Sequence, residues 1–238
     1  MFITTEGMLE NPERGIKMYL ENGKLHRDGN LPAVEYTTGQ NEYRRNGLLH
    51  RDGDLPAIEY KNGTKEYFKN GKLHRDGDLP AAISSNGSIY YYKHGELHRE
   101  GDLPAIIESN GDKVYYKNGL RHRNGDLPSV VTPSGYEAYH KNGNRHRDGG
   151  LPAVKYPGGN EQYYLHGTRV SEQVANFVAE RQCRLIKKVF RRWYDWTYSN
   201  PNSNAFKARL ARDMAEYEEI TGGFVEEHAS PSKRRKTH

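Results

Sequence analysis

The sequence predicts a mainly β fold, an elongated single antiparallel sheet of β-hairpin repeats that is followed by a C-terminal helical hairpin. The segment Leu49–Ile58 recurs every 24 residues, and its copies begin at Leu25, Leu49, Leu73, Leu97, Arg121 and Arg145. Self-similarity at a fixed period of about 20–50 residues is the signature of a repeat array, in which each unit covers its neighbours. Every unit contains glycine residues at positions typical of turns. After Val170, apolar residues at helical spacing replace the short runs of alternating side chains.

The composition agrees with an array better than with one large globular core. Of the 238 residues only 34% are hydrophobic, and 15 of the 18 tyrosines precede residue 171. Because a repeat needs to cover only its neighbours, an array can be stable without a large aliphatic core. Tyrosine rings are therefore expected to supply much of the buried area, stacked as one continuous aromatic column.

The lone Cys183 excludes an intramolecular disulfide and a cysteine-based metal site within one chain. The first six residues carry neither a basic start nor an apolar run, and no window approaches about 18 apolar residues. These features predict a soluble intracellular protein in a reducing compartment.

Four segments divide the chain: an N-terminal segment 1–15, the array 16–170, the helical hairpin 171–221 and a disordered basic tail 222–238. The net charge of +5 is uneven, since residues 1–170 carry 23 Lys and Arg against 22 Asp and Glu, and residues 171–238 carry 13 against 9. The search for an acidic partner therefore begins with the C-terminal segment.

Each unit contains two turn signals, as the repeat around Asn62-Gly63 and Asn70-Gly71 illustrates. Asn-Gly between short runs favours a two-residue type I′ turn, because both central residues need a positive φ. Such turns would place Ile58 opposite Tyr67 and Phe68 opposite Leu73. Each Leu-Pro pair is expected at a strand start, with the leucine tucked beneath the bend.

Alternation of side chains separates an invariant face from a variable one. The invariant face has a tyrosine column, Tyr19, Tyr43, Tyr67, Tyr91, Tyr115, Tyr139 and Tyr163. Beside it runs an aliphatic column, Val34, Ile58, Ala82, Ile106, Val130 and Val154. The other face changes from repeat to repeat, as a binding surface would, and its candidate protein-contact residues are Arg44, Phe68, Tyr92, Tyr116 and His140.

The array is followed by two predicted helices, 172–196 and 205–221, with Ser171 as the N-cap of the first. Val174, Phe177, Leu185, Val189 and Trp193 are expected on its apolar face. Its basic flank could be solvated or could contact nucleic-acid phosphates, calmodulin-like proteins or a membrane surface. The candidate contacts there are Arg181, Arg184, Lys187, Lys188, Arg191 and Arg192. In the tail, a candidate nuclear localisation signal consists of Lys233, Arg234, Arg235 and Lys236.

The core Tyr-x-Lys-Asn-Gly-Lys-Leu-His, its spacing and the second glycine turn resemble the MORN repeat family. The stretch 67–81, YFKNGKLHRDGDLPA, is similar to the variant in arrays encoded by giant DNA viruses of amoebae. The resemblance covers residues 16–169, although commoner MORN repeats have a glycine-rich strand in place of His-Arg-Asp-Gly-Asp-Leu-Pro. It implies an antiparallel β array that acts as a non-enzymatic scaffold or protein-binding module, sometimes linked to membranes. It also implies a viral protein of the host cytoplasm or nucleus, with association with the virion and oligomerisation left open.

Two enzymatic or metal-binding interpretations are weaker. His50-Arg51-Asp52 matches the start of a kinase catalytic loop, but His-Arg recurs in all six copies, four of them as His-Arg-Asp, and no glycine-rich phosphate loop accompanies it. The sequence instead predicts Arg–Asp pairs at each bend, with the histidine against the tyrosine column. Zinc needs three or four converging ligands, whereas His94 and His98 are the one close histidine pair of the array. We therefore predict no catalytic residue, metal or cofactor.

Overall fold

A computed structural model describes residues 3–5, 7–199, 211–212 and 215. The strands of the first half are β1 (Ile3–Thr5), β2 (Met8–Asn11), β3 (Ile16–Glu21), β4 (Lys24–Leu25), β5 (Val34–Tyr36), β6 (Asn41–Glu42), β7 (Arg44–Arg45), β8 (Leu48–Leu49), β9 (Ile58–Glu59), β10 (Lys65–Glu66), β11 (Phe68–Lys69), β12 (Lys72–Leu73), β13 (Ala82–Ile83) and β14 (Ile89–Tyr90). The remaining elements are β15 (Tyr92–Lys93), β16 (Glu96–Leu97), β17 (Ile106–Ile107), β18 (Lys113–Val114), β19 (Tyr116–Lys117), β20 (Leu120–Arg121), β21 (Val130–Val131), β22 (Glu137–Ala138), β23 (His140–Lys141), β24 (Asn144–Arg145), β25 (Val154–Lys155), β26 (Glu161–Leu165), β27 (Thr168–Val170) and α1 (Glu172–Ser199).

This arrangement confirms the predicted fold class, an antiparallel sheet of hairpin repeats followed by a C-terminal helix. The chain divides into two compact units. The first comprises Met1–Asn144 with Val154–Asn160, and the second comprises Arg145–Ala153 with Glu161–His238.

In the first unit, consecutive strands pair into one antiparallel sheet. The order runs from β1 through β2, β3, β5, β6, β9, β10, β13, β14, β17, β18, β21 and β22 to β25. Directly opposed residues form a row across this sheet: Met18, Val34, Glu42, Ile58, Glu66, Ala82, Tyr90, Ile106, Val114, Val130, Ala138 and Val154. Because directly opposed side chains share a face, we call this set the central row.

The first turn of each repeat differs from the prediction by one residue. Ile58 lies opposite Glu66, not Tyr67, because the Tyr60 carbonyl accepts the Gly63 N–H and the Tyr60 N–H donates to Thr64. The connection is thus a three-residue loop in which only Gly63 has a positive φ, 89°. Such a loop adds one residue to a two-residue turn and shifts the register accordingly.

The second turn of each repeat is the predicted type I′ turn. Asn70 and Gly71 have φ values of 52° and 80°, and Phe68 lies opposite Leu73 as expected. These hairpins are also joined from repeat to repeat, since the Gly71 N–H donates to the Leu49 carbonyl at 2.8 Å. The equivalent bond recurs at Gly47, Gly95, Gly119 and Gly143.

The tyrosine column is buried as predicted, but its rings are covered by arginine. Tyr43, Tyr67, Tyr91, Tyr115 and Tyr139 are at most 8% exposed. The guanidinium carbon of Arg75 lies 3.8 Å from the ring centroid of Tyr67, and Arg27, Arg51, Arg99 and Arg123 cover Tyr19, Tyr43, Tyr91 and Tyr115 in the same way. The expected uninterrupted column of stacked rings is therefore wrong, because a guanidinium covers each of these five rings.

The same arginine explains why the leucines of the Leu-Pro pairs are not tucked beneath the bend. Arg51 donates to the Pro56 carbonyl at 3.1 Å and fills the space that Leu55 was expected to occupy. Leu55 is 38% exposed, and its counterparts Leu31, Leu79, Leu103, Leu127 and Leu151 are 42–48% exposed.

The second unit contains the hairpin of β26 and β27 and the helix α1. Its helix begins as predicted, since the Ser171 hydroxyl accepts the Val174 N–H at 3.3 Å. The predicted apolar face is partly wrong: Ala175 and Leu185 are buried, whereas Val174 and Phe177 are 46% and 65% exposed. The start of the helix lies close to the last repeat, since a Cβ added at Gly150 would lie 2.5 Å from Oδ1 of Asn176.

Two predictions for the C-terminal segment cannot be compared with the fold. The second helix, 205–221, lies outside the described residues except for 211–212 and 215, which are helical. The basic tail 222–238 lies wholly outside them. Within the described part of the chain, no helix is both long and apolar enough to span a membrane.

Candidate protein-binding face

The variable residues occupy one register position in successive second hairpins. Arg44 begins β7, Phe68 begins β11, Tyr92 begins β15, Tyr116 begins β19 and His140 begins β23. Each follows a residue of the central row by two positions, so it lies on the same face of the strand as that row. The predicted separation of faces is therefore wrong for the aliphatic column, because the one-residue shift in register places Ile58 and its equivalents on the face of the variable residues. We call this surface the variable face.

Four of these five side chains are half-buried rather than fully exposed. Arg44 pairs with Glu42 at 2.8 Å and donates to the Gly47 carbonyl at 2.9 Å. Tyr116 accepts a hydrogen bond from Arg121 at 3.1 Å. Phe68 and Tyr92 are also partly buried, so part of each side chain is accessible to a partner.

The fifth position, His140, is 8% exposed and part of the core. Its Nδ1 lies 2.8 Å from the Ser129 hydroxyl, which donates to the Ala138 carbonyl at 3.1 Å. A buried imidazole that is bonded to a buried serine orders the hairpin from inside. The accessible part of the variable face is therefore formed by the other four residues.

Two carboxylates interrupt the central row, and sequence reasoning did not single them out. The Tyr36 hydroxyl donates to Glu42 at 3.1 Å, and the Tyr60 hydroxyl likewise donates a hydrogen bond to Glu66. Burial raises the pKa of Glu66, which the hydrogen bond from Tyr60 partly offsets. Burial is also the main reason for the raised pKa of Tyr36 and Tyr60, and the neighbouring carboxylates add to it. The signal in the sequence is a glutamate at the position that is Met18, Tyr90, Val114 and Ala138 in other repeats.

The His-Arg-Asp motif forms structural links between repeats. The Nδ1 atom of His74 accepts the His94 N–H at 3.2 Å, while its Nε2 lies 2.9 Å from Asp76. Arg75 pairs with Asp54 of the preceding repeat at 2.7 Å. The predicted Arg–Asp pairs are thus present, with the aspartate supplied by the preceding repeat. The predicted place of the histidine is wrong, because arginine covers the tyrosine and the histidine pairs with the aspartate of its own motif.

One cluster has the composition of a metal site. Glu21, His26 and Asp28 bring one ligand atom each within 4.8 Å of one another. However, Nδ1 of His26 accepts the Asn46 N–H at 3.2 Å, so the proton of the neutral ring lies on Nε2, 3.1 Å from Asp28. A protonated Nε2 cannot bind a metal, and moving the proton would cost the bond to Asn46. Hydrogen bonding accounts for this cluster.

The basic flank of α1 faces solvent over its described part. The exposed cationic residues are Arg181, Arg184, Lys187, Lys188 and Arg191. Arg184 pairs with Glu180 at 3.1 Å on the same helix, and the pair is exposed. The side chain of Arg192 and the candidate nuclear signal at 233–236 lie outside the described residues.

The exposed leucines of the Leu-Pro pairs, which we call the leucine stripe, are the residues that were expected beneath the bend. One leucine per repeat is exposed to solvent, at a fixed spacing of 24 residues. Its regularity distinguishes it from the variable face, where the residue type changes in each repeat. The signal was the same Leu-Pro pairing that suggested burial.

Comparison with known proteins adds no identification. No protein-family model matches the chain, and no curated protein or solved structure is significantly similar to it.

Proposed function

We propose that the chain is a non-enzymatic protein-binding scaffold, a MORN-like array of viral type whose variable face contacts a partner protein. The observation that carries this proposal is the change from Arg44 to Phe68, Tyr92 and Tyr116 at one backbone register. A constant frame holds these positions at regular intervals, while the side chains differ in charge and shape. Aromatic residues and arginine are also the types that dominate the energetics of protein interfaces.

The experiment is affinity purification with the full chain and a variant in which Phe68, Tyr92 and Tyr116 are replaced by serine. We expect the captured partner to be lost, because three half-buried rings would be removed from one surface. A matched variant replaces Leu55, Leu79 and Leu103 of the leucine stripe by serine. Capture that survives the first variant and fails with the second would assign binding to the leucine stripe and contradict the proposal. Circular dichroism establishes that both variants are folded.

The exposed basic flank of α1 favours a second function, association with nucleic acid. Five cationic side chains face solvent between Arg181 and Arg191, and phosphate contacts by such residues release counterions. We expect duplex DNA to bind at about 50 mM salt and to lose affinity steeply towards about 200 mM. Replacement of the five residues by glutamine should abolish this binding. No binding at the lower salt concentration would exclude the second function and leave the scaffold unaffected.

A further inference from the structure

The variable face contains one carboxylate that lacks the counter-ion its equivalent has. In the central row, Glu42 and Glu66 occupy equivalent positions of consecutive repeats. Arg44 neutralises Glu42 at 2.8 Å, and Phe68 stands in the place of Arg44 beside Glu66. Among the described residues, no cation lies within ion-pairing distance of Glu66. The Tyr60 hydroxyl is its hydrogen-bond donor.

The residue beside Glu66 is smaller than the residues at the equivalent positions. Its neighbour on the next strand is Ala82, whereas the equivalent residues in the other repeats are Val34, Ile58, Ile106, Val130 and Val154. The alanine lacks the branched side chain that would cover this flank of the carboxylate. Phe68 and Tyr92, both half-buried, supply aromatic surface near Glu66.

The electrostatics agree with a carboxylate that lacks a counter-charge. Burial raises the pKa of Glu66 even though the Tyr60 hydroxyl bond acts in the opposite direction. The Glu66 charge also contributes to the raised pKa of Tyr92, for which burial is the main cause. A negative charge surrounded by rings is the complement of a cation that can both pair and stack.

We propose that Glu66, Tyr60, Phe68, Tyr92 and Ala82 form a receptor for one arginine side chain of the partner protein. The inference rests on the protein-binding function proposed above and supplies the chemistry of one anchor. Arg44 shows that a guanidinium fits against the equivalent carboxylate, with Nε and a terminal nitrogen of the same group at 2.9 and 2.8 Å. A guanidinium can pair with a carboxylate through two bonds and stack on an aromatic face, which an ammonium does less well.

The test uses the full-length 15N-labelled chain and the peptide Ac-Gly-Arg-Gly-NH2, followed by two-dimensional NMR. A single arginine is expected to bind with a Kd on the order of 1 mM and to shift the amide signals of Phe68 and Tyr92. The citrulline peptide has nearly the same shape without the charge, and it should bind about tenfold more weakly or not at all. Equal binding of the two peptides would overturn the proposal.

Three variants reduce the site by different means. Glu66→Gln removes the charge, Ala82→Ile places a branched side chain beside the carboxylate, and Phe68→Arg supplies an internal guanidinium. The last two introduce side chains that occur at the same register in other repeats, Ile58 and Arg44, so they are compatible with the fold. Each should weaken the arginine peptide about tenfold. Glu96→Gln, which removes an equal charge from an exposed position, should leave its binding within about twofold.

The outcome separates this inference from the function on which it rests. If Glu66→Gln and Ala82→Ile still bind the peptide normally, the receptor is refuted. The scaffold function would stand in that case, provided that the serine variant of Phe68, Tyr92 and Tyr116 still loses the captured partner. If the peptide binds as expected but the serine variant retains the partner, the receptor exists and the proposed interface is wrong.

Discussion

A single arginine in each repeat contacts three parts of the array. The guanidinium of Arg75 covers the Tyr67 ring, donates to the Pro80 carbonyl at 3.4 Å, and pairs with Asp54 of the preceding repeat. The ion pair with Asp54 holds the pKa of that carboxyl below its usual value. One side chain therefore links a buried ring, a bend and a neighbouring repeat, which helps a chain with few aliphatic residues to keep its shape.

We expect Arg75→Ala to destabilise the chain by about 1–2 kcal/mol, since it removes a cation–π contact and a paired, mostly buried guanidinium. Lys69→Ala is the matched control. Lys69 pairs with Asp76 at 2.8 Å, but both side chains are more than half exposed, so its loss should cost less than about 0.5 kcal/mol. Urea denaturation followed by circular dichroism measures both values. Equal costs would show that the tyrosine contact contributes little.

Glu66 should destabilise the folded chain at neutral pH. Its pKa is raised in the folded state, so the folded chain binds a proton more readily than the unfolded chain, and stability falls as pH rises through that range. Glu66→Gln keeps an acceptor for Tyr60 and removes the charge. We expect the variant to melt at a higher temperature than the parent at pH 7, and the difference to vanish below the ordinary glutamate pKa of about 4.3. A variant that is less stable at pH 7 would contradict this account.

At the scale of elements, the last repeat is adapted to the helix that follows it. Gly150 stands where the other repeats have Asn30, Asp54, Asp78, Asp102 and Asp126. Its φ is 70°, and an added Cβ would lie 2.5 Å from the Asn176 side chain of α1. Glycine is thus required there by the close approach of the helix as well as by the backbone conformation.

Gly150→Ala should therefore cost more than Gly125→Ala. Gly125 has a similar φ of 68°, but an added Cβ there meets nothing within 4 Å. Alanine at a positive φ costs about 1 kcal/mol in either place, and the contact with Asn176 adds to this at residue 150 only. Thermal melting of the two variants measures the difference. If it is absent, α1 does not press against the last repeat.

The comparison of the two turns shows what the sequence could determine about the hairpins. Asn-Gly occurs in both turns of the model repeat, at Asn62-Gly63 and at Asn70-Gly71, yet only the second has positive φ at both residues. The two-residue turn and the three-residue loop accept the same dipeptide, because both place glycine in the left-handed region. Turn positions were therefore predictable from the sequence, whereas the register of the first pairing depended on the loop length.

The roles of side chains were harder to predict than their positions. The columns of tyrosine, arginine, histidine and leucine could be read directly from the 24-residue period. Which of Arg51 and Leu55 fills the space beneath the bend depends on cation–π contact and a hydrogen bond to Pro56, which hydrophobicity alone does not predict. The predicted apolar face of α1 was partly wrong for a related reason, since the helix is placed by the close approach of Gly150 to Asn176.

At the scale of the whole molecule, successive repeats share one bond that requires a neutral histidine. The Nδ1 atoms of His26, His50, His74, His98 and His122 each accept a backbone N–H from the following repeat at 3.1–3.3 Å. In the second unit, His146 accepts the His166 N–H at 3.3 Å. A protonated imidazole has no acceptor, so each of these bonds is lost when the ring is charged.

Acid should weaken the array at low pH, as carboxylates such as Asp76 are protonated. The melting temperature measured at pH 7, 5 and 3 tests this prediction. Lys69 and His74 lower the pKa of Asp76 from 3.8 to about 2, so its stabilising pairs persist above 3.8 and are lost as pH falls through 2. Asp76→Asn should reduce the decrease at low pH, because the variant lacks the charge that is lost there. An equal decrease in the variant would show that the pairs of Asp76 do not stabilise the array.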